Sequence, residues 1–404
     1  MDNNRIDYLI IGGGLAGHSA AKQLINAGSV VMVTEEGFTP YDRPPLSKTY
    51  LRGEVDESSI FFEPEIYKHG VKVILRKKVE SLDSREGIAI LSDGTTIEFS
   101  KALIATGGRP RKLGVPGEAE VGVTYFRTLD DARSIRERAR GSKAPLVVGA
   151  GFLGMELAAS LAMMGLRPTV VEAKPQIWSG FMDEKTAMVM QQYFEARGVS
   201  FILGETIREF QRNLAVVGDG REIETDLVVA SIGIIPNSEV AQRSGISTGN
   251  GIIVNEYLET NSPGVYAAGD VANILDPVTG DRRRIEHWNN AEYTGKLAAA
   301  NMRGSRSRYD FLSTIWSDVF DLHLESAGDA VNRDEELVRG NVNKPSFVTI
   351  YLRRGIIIGY LAVNRDYGEL EVLNKLIINK FDASSHRKQL VSEEFDLRSL
   401  VASN

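Results

Sequence analysis

The sequence predicts an α/β chain: two Rossmann-like domains in tandem, followed by a small α+β domain. Two observations predict it. A strand, glycine turn, helix, strand and closing acid run from Asp7 to Glu35 and recur from Pro145 to Glu172, and each closing acid follows the first turn glycine by 23 positions. The two copies also end alike, on Gly107-x-x-Pro110 and Gly233-x-x-Pro236, each after an apolar strand. A repeat of this depth marks two domains of one design.

In the first unit the apolar run Tyr8 to Ile11 enters a turn in which Gly12, Gly14 and Gly17 fit G-x-G-x-x-G. A small-residue helix is expected from Ala16 to Ala27, then a strand from Ser29 to Thr34 ending on Glu35. Each part suits a dinucleotide. Gly12 makes the tight turn, Gly14 lets the backbone approach a pyrophosphate, and Gly17 lets the helix pack on the strand. The helix N-terminus favours the phosphate charge, and Glu35 is placed to accept from a ribose hydroxyl. Gly149, Gly151, Gly154 and Glu172 repeat the set, so a second dinucleotide is expected.

Composition sets the bounds. A chain of 404 residues divides into two or three domains, and 43% hydrophobic with 25% charged residues is ordinary for globular proteins. A net charge of -7 and a pI near 5.5 argue against a general nucleic-acid surface. No apolar run reaches the length of a membrane span, and no secretory leader precedes the first strand, so a cytoplasmic protein is expected. There is no cysteine, which excludes disulfides, thiolate chemistry and any Cys-held zinc or cluster within the chain. The five histidines are scattered without metal spacing, and no metal is expected.

Between the repeats, Thr39 to Lys48 reads as an extended loop, with Pro44-Pro45 delaying a helix until about Leu46. Short strands are expected around Val71 to Leu75, Gly87 to Leu91 and Thr95 to Phe99, with a hairpin turn at Ser92-Asp93-Gly94. A separate buried strand from Leu103 ends at the Thr106-Gly107 turn, and Arg111 to Glu120 reads as a linker. After the second unit, Gly264 to Val271 puts a small-residue strand before Gly269-Asp270, where Asp270 suits a polyol hydroxyl. Arg282-Arg283-Arg284 reads first as a solvated loop. From Tyr309 the pattern changes to a β-hairpin at Phe347 to Val363 and an amphipathic helix at Asp366 to Lys380.

Taken together, the tandem units, the Ala105-Thr106-Gly107 turn and Val265-Tyr266-Ala267-Ala268-Gly269-Asp270 resemble the FAD/NAD(P)-dependent pyridine nucleotide oxidoreductases of glutathione-reductase type. Pro40-Tyr41-Asp42-Arg43-Pro44-Pro45-Leu46-Ser47-Lys48, Ile285-Glu286-His287-Trp288-Asn289-Asn290-Ala291 and Ile315-Trp316-Ser317-Asp318 resemble the oxygenase-coupled NADH–ferredoxin reductases within that superfamily. The resemblance implies a discontinuous FAD domain (1–112 and 246–308), an NADH domain (113–245) and a C-terminal α+β domain (309–404). It implies that Gly12, Gly14, Gly17 and Glu35 bind the ADP part of FAD. Arg43, Lys48, Thr106, Gly107, Gly269, Asp270 and Trp288 are expected to contact the rest of FAD, with Trp288 beside the isoalloxazine. Gly149, Gly151, Gly154, Glu172 and Gly233 are expected to hold NADH, with Glu156 near the nicotinamide and paired to Lys48.

The implied reaction is hydride transfer from NADH to FAD, then single-electron transfer to a ferredoxin-type or rubredoxin-type protein. It needs stacked rings and little acid–base help. Lys48 and Glu156 are its catalytic candidates, since a cation near the flavin favours hydride acceptance. Glu172 favours NADH over NADPH by accepting the 2′-hydroxyl and repelling a 2′-phosphate. The missing cysteine removes the disulfide-reductase and thiol-dependent oxidase branches. Two alternatives stay open: an NADH oxidase or diaphorase reducing oxygen or small acceptors, and a redox-sensing protein of the apoptosis-inducing-factor kind. A homodimer is also open. An acidic partner would be drawn to Arg282–Arg284 if those side chains are free.

Overall fold

The computed structural model describes residues 5–402. They fall into two compact units. One comprises the stretch up to Asp42, Glu57–Arg109 and Ile235–Ser313; the other comprises Arg43–Asp56, Pro110–Ile234 and the stretch from Thr314 onward.

The first unit is built on a parallel sheet in the order Val71–Ile74, Val30–Val33, Ile6–Ile11, Thr96–Ile104 and Val265–Ala267. Its inner strands are apolar runs because both faces are covered: all four residues of Val30–Val33 are buried. Helix Leu15–Leu24 stops earlier than expected, because the Ala27 N–H turns back onto the Leu24 carbonyl. Helix Trp288–Met302 packs closely on it: a Cβ on Gly295 would stand 2.3 Å from the Ala16 carbonyl oxygen. Thr96–Ile104 is one nine-residue strand where two were expected. No glycine or proline lies between Phe99 and Leu103 to turn the chain. Its first half pairs antiparallel with Ile88–Leu91, and its second half runs parallel to Ile6–Ile11.

The second unit repeats the plan. A parallel sheet runs in the order Ser200–Leu203, Thr169–Glu172, Pro145–Val148, Leu227–Ala230 and Thr124–Tyr125. Helix Phe152–Met163 follows the glycine turn, and Ile207–Gln211, Leu214–Val217 and Glu222–Glu224 form a three-stranded antiparallel sheet. The stretch read as a linker is ordered: Glu118 opens a short helix and accepts from the Val115 N–H and the Tyr125 hydroxyl at 2.7 and 2.6 Å.

Arg43–Asp56 belongs to this second unit. Pro44–Ser47 is a 3-10 turn, not the loop expected up to Leu46, because prolines in a first turn lack only N–H groups that the turn leaves unused. The C-terminal part is a five-stranded antiparallel sheet in the order Thr314–Val319, Leu322–Gly328, Ile356–Val363, Ser346–Arg353 and Glu335–Asn341. The expected hairpin lies within it. Helix Tyr367–Ile378 buries Leu370, Leu373, Leu376 and Ile377 and is capped by Asp366, whose carboxylate accepts from the Gly368 N–H at 2.9 Å.

Candidate active site

The two glycine turns share one geometry. Gly12 has φ +118° and Gly149 +106°, backbone that residues with a Cβ rarely adopt. A Cβ on Gly17 would stand 2.1 Å from the Gly12 carbonyl oxygen, and one on Gly154 would stand 1.9 Å from that of Gly149. Gly14 and Gly151 differ in kind: a Cβ there would meet nothing within 4 Å. Both are N-cap residues in extended conformation, and neither helix has a side-chain cap. Open space beside uncapped first-turn N–H groups, one in each unit, is a cradle that fits a pyrophosphate.

The closing acids are placed differently. Glu35 is exposed, with Lys78 Nζ 3.6 Å away. Glu172 is tied to the backbone: one oxygen accepts from the Ala150 N–H at 2.6 Å and the other from the Lys174 N–H at 2.8 Å.

The other expected cofactor contacts divide between the units. In the first, the Thr106 hydroxyl donates to the Asn237 carbonyl at 2.7 Å, and the Asn237 N–H donates to the Gly107 carbonyl at 3.0 Å. Gly269 lies against the first helix: a Cβ there would be 3.0 Å from that of Ala16. The Asp270 carbonyl accepts from Arg284 at 3.1 Å. The Trp288 indole N–H donates to Asp42 at 2.7 Å. Just before it, His287 is bonded to Ser313 at 2.8 Å, and Ser313 donates to Asn289 at 2.8 Å, which fixes the start of the helix. Arg43, Lys48 and Gly233 lie in the second unit. Arg43 donates to the Arg127 carbonyl at 2.8 Å, and the Gly233 carbonyl accepts from the Arg111 N–H at 2.9 Å.

Lys48 and Glu156 are brought together. The Lys48 ammonium lies 3.1 Å from one Glu156 oxygen, and each side chain is 10% exposed. Ser47 donates to Glu156 at 2.6 Å and Ser317 at 2.7 Å, so the carboxylate is fully bonded as burial demands. Asp318 adds a second carboxylate 3.7 Å from Lys48 and is itself bonded to His323 at 2.7 Å. That bond, with Glu325 beyond it, pushes His323 up to about 9. His323 was not singled out in the sequence, and Ser47, Ser317 and Asp318 only as parts of motifs. The one signal for His323 is the apolar–polar alternation of Leu322 to Glu325, which marks a strand with His323 and Glu325 on one face.

Arg282–Arg284 is not a free basic patch. Arg282 donates to the Val254 and Asn273 carbonyls, Arg283 pairs with the buried Asp276, and Arg284 bonds Asn250 and Glu286. Among the described residues, no group of three or more metal-ligating side chains is gathered, and no helix is long and apolar enough to cross a membrane.

Two uncapped glycine turns of one geometry, each opening a parallel α/β sheet, define a protein that handles two dinucleotides. Residues 6–295 match the family model described as pyridine nucleotide-disulphide oxidoreductase, residues 314–401 match the reductase C-terminal model, and the chain belongs to that oxidoreductase family. The ferredoxin reductase subunit of the 5,5'-dehydrodivanillate O-demethylase of a Sphingobium species is 33% identical, over 89% of this chain and 90% of the relative. A rubredoxin-NAD(+) reductase of Pseudomonas putida is 30% identical, over 82% of this chain and 89% of its own. Among solved structures, putidaredoxin reductase in its covalent complex with putidaredoxin superposes with a TM-score of 0.93 at 27% identity, covering 98% of each chain.

Proposed function

We propose that the chain takes a hydride from NADH onto FAD and passes the electrons singly to a ferredoxin-type or rubredoxin-type protein. The bound flavin supplies the conversion between two-electron and one-electron chemistry. One observation carries the reading. Where a thiol branch of the superfamily needs cysteine, this chain has a buried lysine, Lys48, held on Glu156, and it has no cysteine anywhere. Electrons therefore have no thiol of this chain to rest on and must leave for an outside acceptor.

In the same reading Gly12, Gly14, Gly17 and Glu35 hold the adenine end of FAD, while Thr106, Gly107, Gly269, Asp270, Trp288, Arg43 and Lys48 serve the rest. Gly149, Gly151, Gly154, Glu172 and Gly233 hold NADH, and Glu156 orients Lys48. The FAD domain is 1–112 with 246–308, the NADH domain 113–245 and the C-terminal domain 309–404. A cytoplasmic location belongs to the proposal, supported by the ordinary globular composition and by NADH as the reductant. The test is NADH-driven reduction of a ferredoxin and a rubredoxin, followed by their visible absorbance. Rapid bleaching is the expected result. NADH consumption that yields an equal amount of peroxide and leaves both proteins oxidised favours the oxidase reading instead.

A further inference from the structure

Lys48 faces two carboxylates, and they are not equivalent. Glu156 is buried and held by two serine hydroxyls, so its place is fixed. Asp318 is half exposed and sits directly opposite His323 across the antiparallel pair of strands Thr314–Val319 and Leu322–Gly328. One Asp318 oxygen is 2.7 Å from His323 Nδ1, and the other is 3.7 Å from Lys48 Nζ. Asp318 therefore bridges a titratable imidazole and the Lys48 ammonium.

We propose that His323 is a positioning residue for Lys48: by holding one oxygen of Asp318 it sets how strongly the other draws the ammonium away from Glu156. Protonated, the imidazolium balances the Asp318 charge, and Lys48 rests on Glu156. Neutral, the imidazole leaves Asp318 uncompensated, and one lysine is shared by two carboxylates. Of the two Lys48 contacts the shorter is to Glu156, at 3.1 Å against 3.7 Å to Asp318. The groups facing His323 are Asp318 on the neighbouring strand, Glu325 on its own strand with Nε2 to oxygen at 4.0 Å, and Asn364, which bonds the His323 backbone on both sides. Beyond Glu325 the Tyr360 hydroxyl donates to it at 3.0 Å, and beyond Asp318 lie Lys48 and Glu156. The bond from Asp318 raises His323 to about 9, which places the transition within reach of a titration. His323 is 45% exposed, so its proton exchanges with solvent without opening the site.

The inference rests on the reading that Lys48 serves the flavin, and the experiment separates the two. In the FAD-loaded protein labelled with 15N-lysine, the Lys48 Nζ resonance is followed through the titration of His323. It is expected to shift with a midpoint near that of His323 in the native chain and to stay still in His323→Gln and in Asp318→Asn. Stopped-flow flavin reduction by NADH is run over the same pH range. The native chain is expected to change rate across the His323 midpoint. His323→Gln should hold the native high-pH rate throughout, and Asp318→Asn the native low-pH rate. A Lys48 resonance in the native protein that ignores the His323 titration overturns the coupling without needing any variant to fold. So does equal behaviour of the two variants. If instead the resonance couples but Lys48→Met reduces its flavin at the native rate, the coupling stands and the assigned role of Lys48 falls.

Discussion

The Glu172 carboxylate accepts from the Ala150 N–H, inside the second glycine turn, at 2.6 Å. The corresponding acid of the first unit, Glu35, makes no such bond and instead lies near Lys78. With its second oxygen on the Lys174 N–H, Glu172 is a charge fixed in place at the end of its strand. Glu172→Gln is therefore expected to lower the preference for NADH over NADPH, measured as the ratio of kcat/KM values, by about tenfold, the equivalent of roughly 1.4 kcal/mol. An unchanged ratio would assign cofactor choice to another group.

The glycines of the first turn separate folding from binding. Gly17→Ala drives a Cβ to 2.1 Å from a backbone oxygen and should cost stability, read as a lower melting temperature of the apoprotein. Gly14→Ala meets no atom and keeps an ordinary φ of -84°, so the apoprotein should melt as the native chain does. Its FAD affinity should nonetheless fall at least tenfold, because the methyl enters the space assigned to the pyrophosphate. Native FAD affinity in Gly14→Ala would remove the pyrophosphate from that turn.

Lys48→Met leaves Glu156 a buried carboxylate with two hydroxyl donors and no cation. Loss of one member of a buried pair costs roughly 3–5 kcal/mol. The expected result is a clear drop in denaturant midpoint together with slower flavin reduction. Adding Glu156→Gln should restore much of the stability and none of the rate. A double variant no more stable than the single one would show that the pair is not the source of the loss.

Histidine titrations predict a stability optimum. Burial pushes His18 and His287 down to about 4, with Arg283 adding to the effect at His287. The unfolded chain then binds protons first, so their contribution is whole above pH about 6.5 and is lost as pH falls towards 4. His323, raised to about 9 by Asp318, acts in the opposite sense: its contribution is whole below about 6.5 and is lost as pH rises through 9. The melting temperature should fall on both sides of neutrality, with the alkaline limb flattened in His323→Gln. An alkaline limb of native slope in that variant would place the titrating group elsewhere.

The two glycine turns were legible because their demands are local: a positive φ at one position, and a backbone oxygen about 2 Å from where a Cβ would be at another, admit only glycine within a few residues of chain. The hairpin and amphipathic helix of the C-terminal part were legible from periodicity alone. The surroundings of the candidate site were not. Ser317 reaches Glu156 across 161 residues, and Asp42 reaches Trp288 across 246. A serine or aspartate carries no periodic signal of so distant a partner. The 3-10 turn at Pro44 and the continuous strand Thr96–Ile104 were misread for a simpler reason. Proline marks a helix start as readily as a stop, and a polar Ser100-Lys101 step need not break a strand.

The carboxylate of Glu156 draws its donors from both directions along the chain, Ser47 from 109 residues before it and Ser317 from 161 residues after. A growing polypeptide thus completes both glycine turns, Lys48 and Glu156 long before the strand that finishes the bonding of Glu156 has been made. Products cut short before Thr314 would carry every dinucleotide motif and still lack Ser317, one of the donors to Glu156. Assembly of the charge cluster is in this sense a check on whether synthesis went on past the dinucleotide motifs into the C-terminal part.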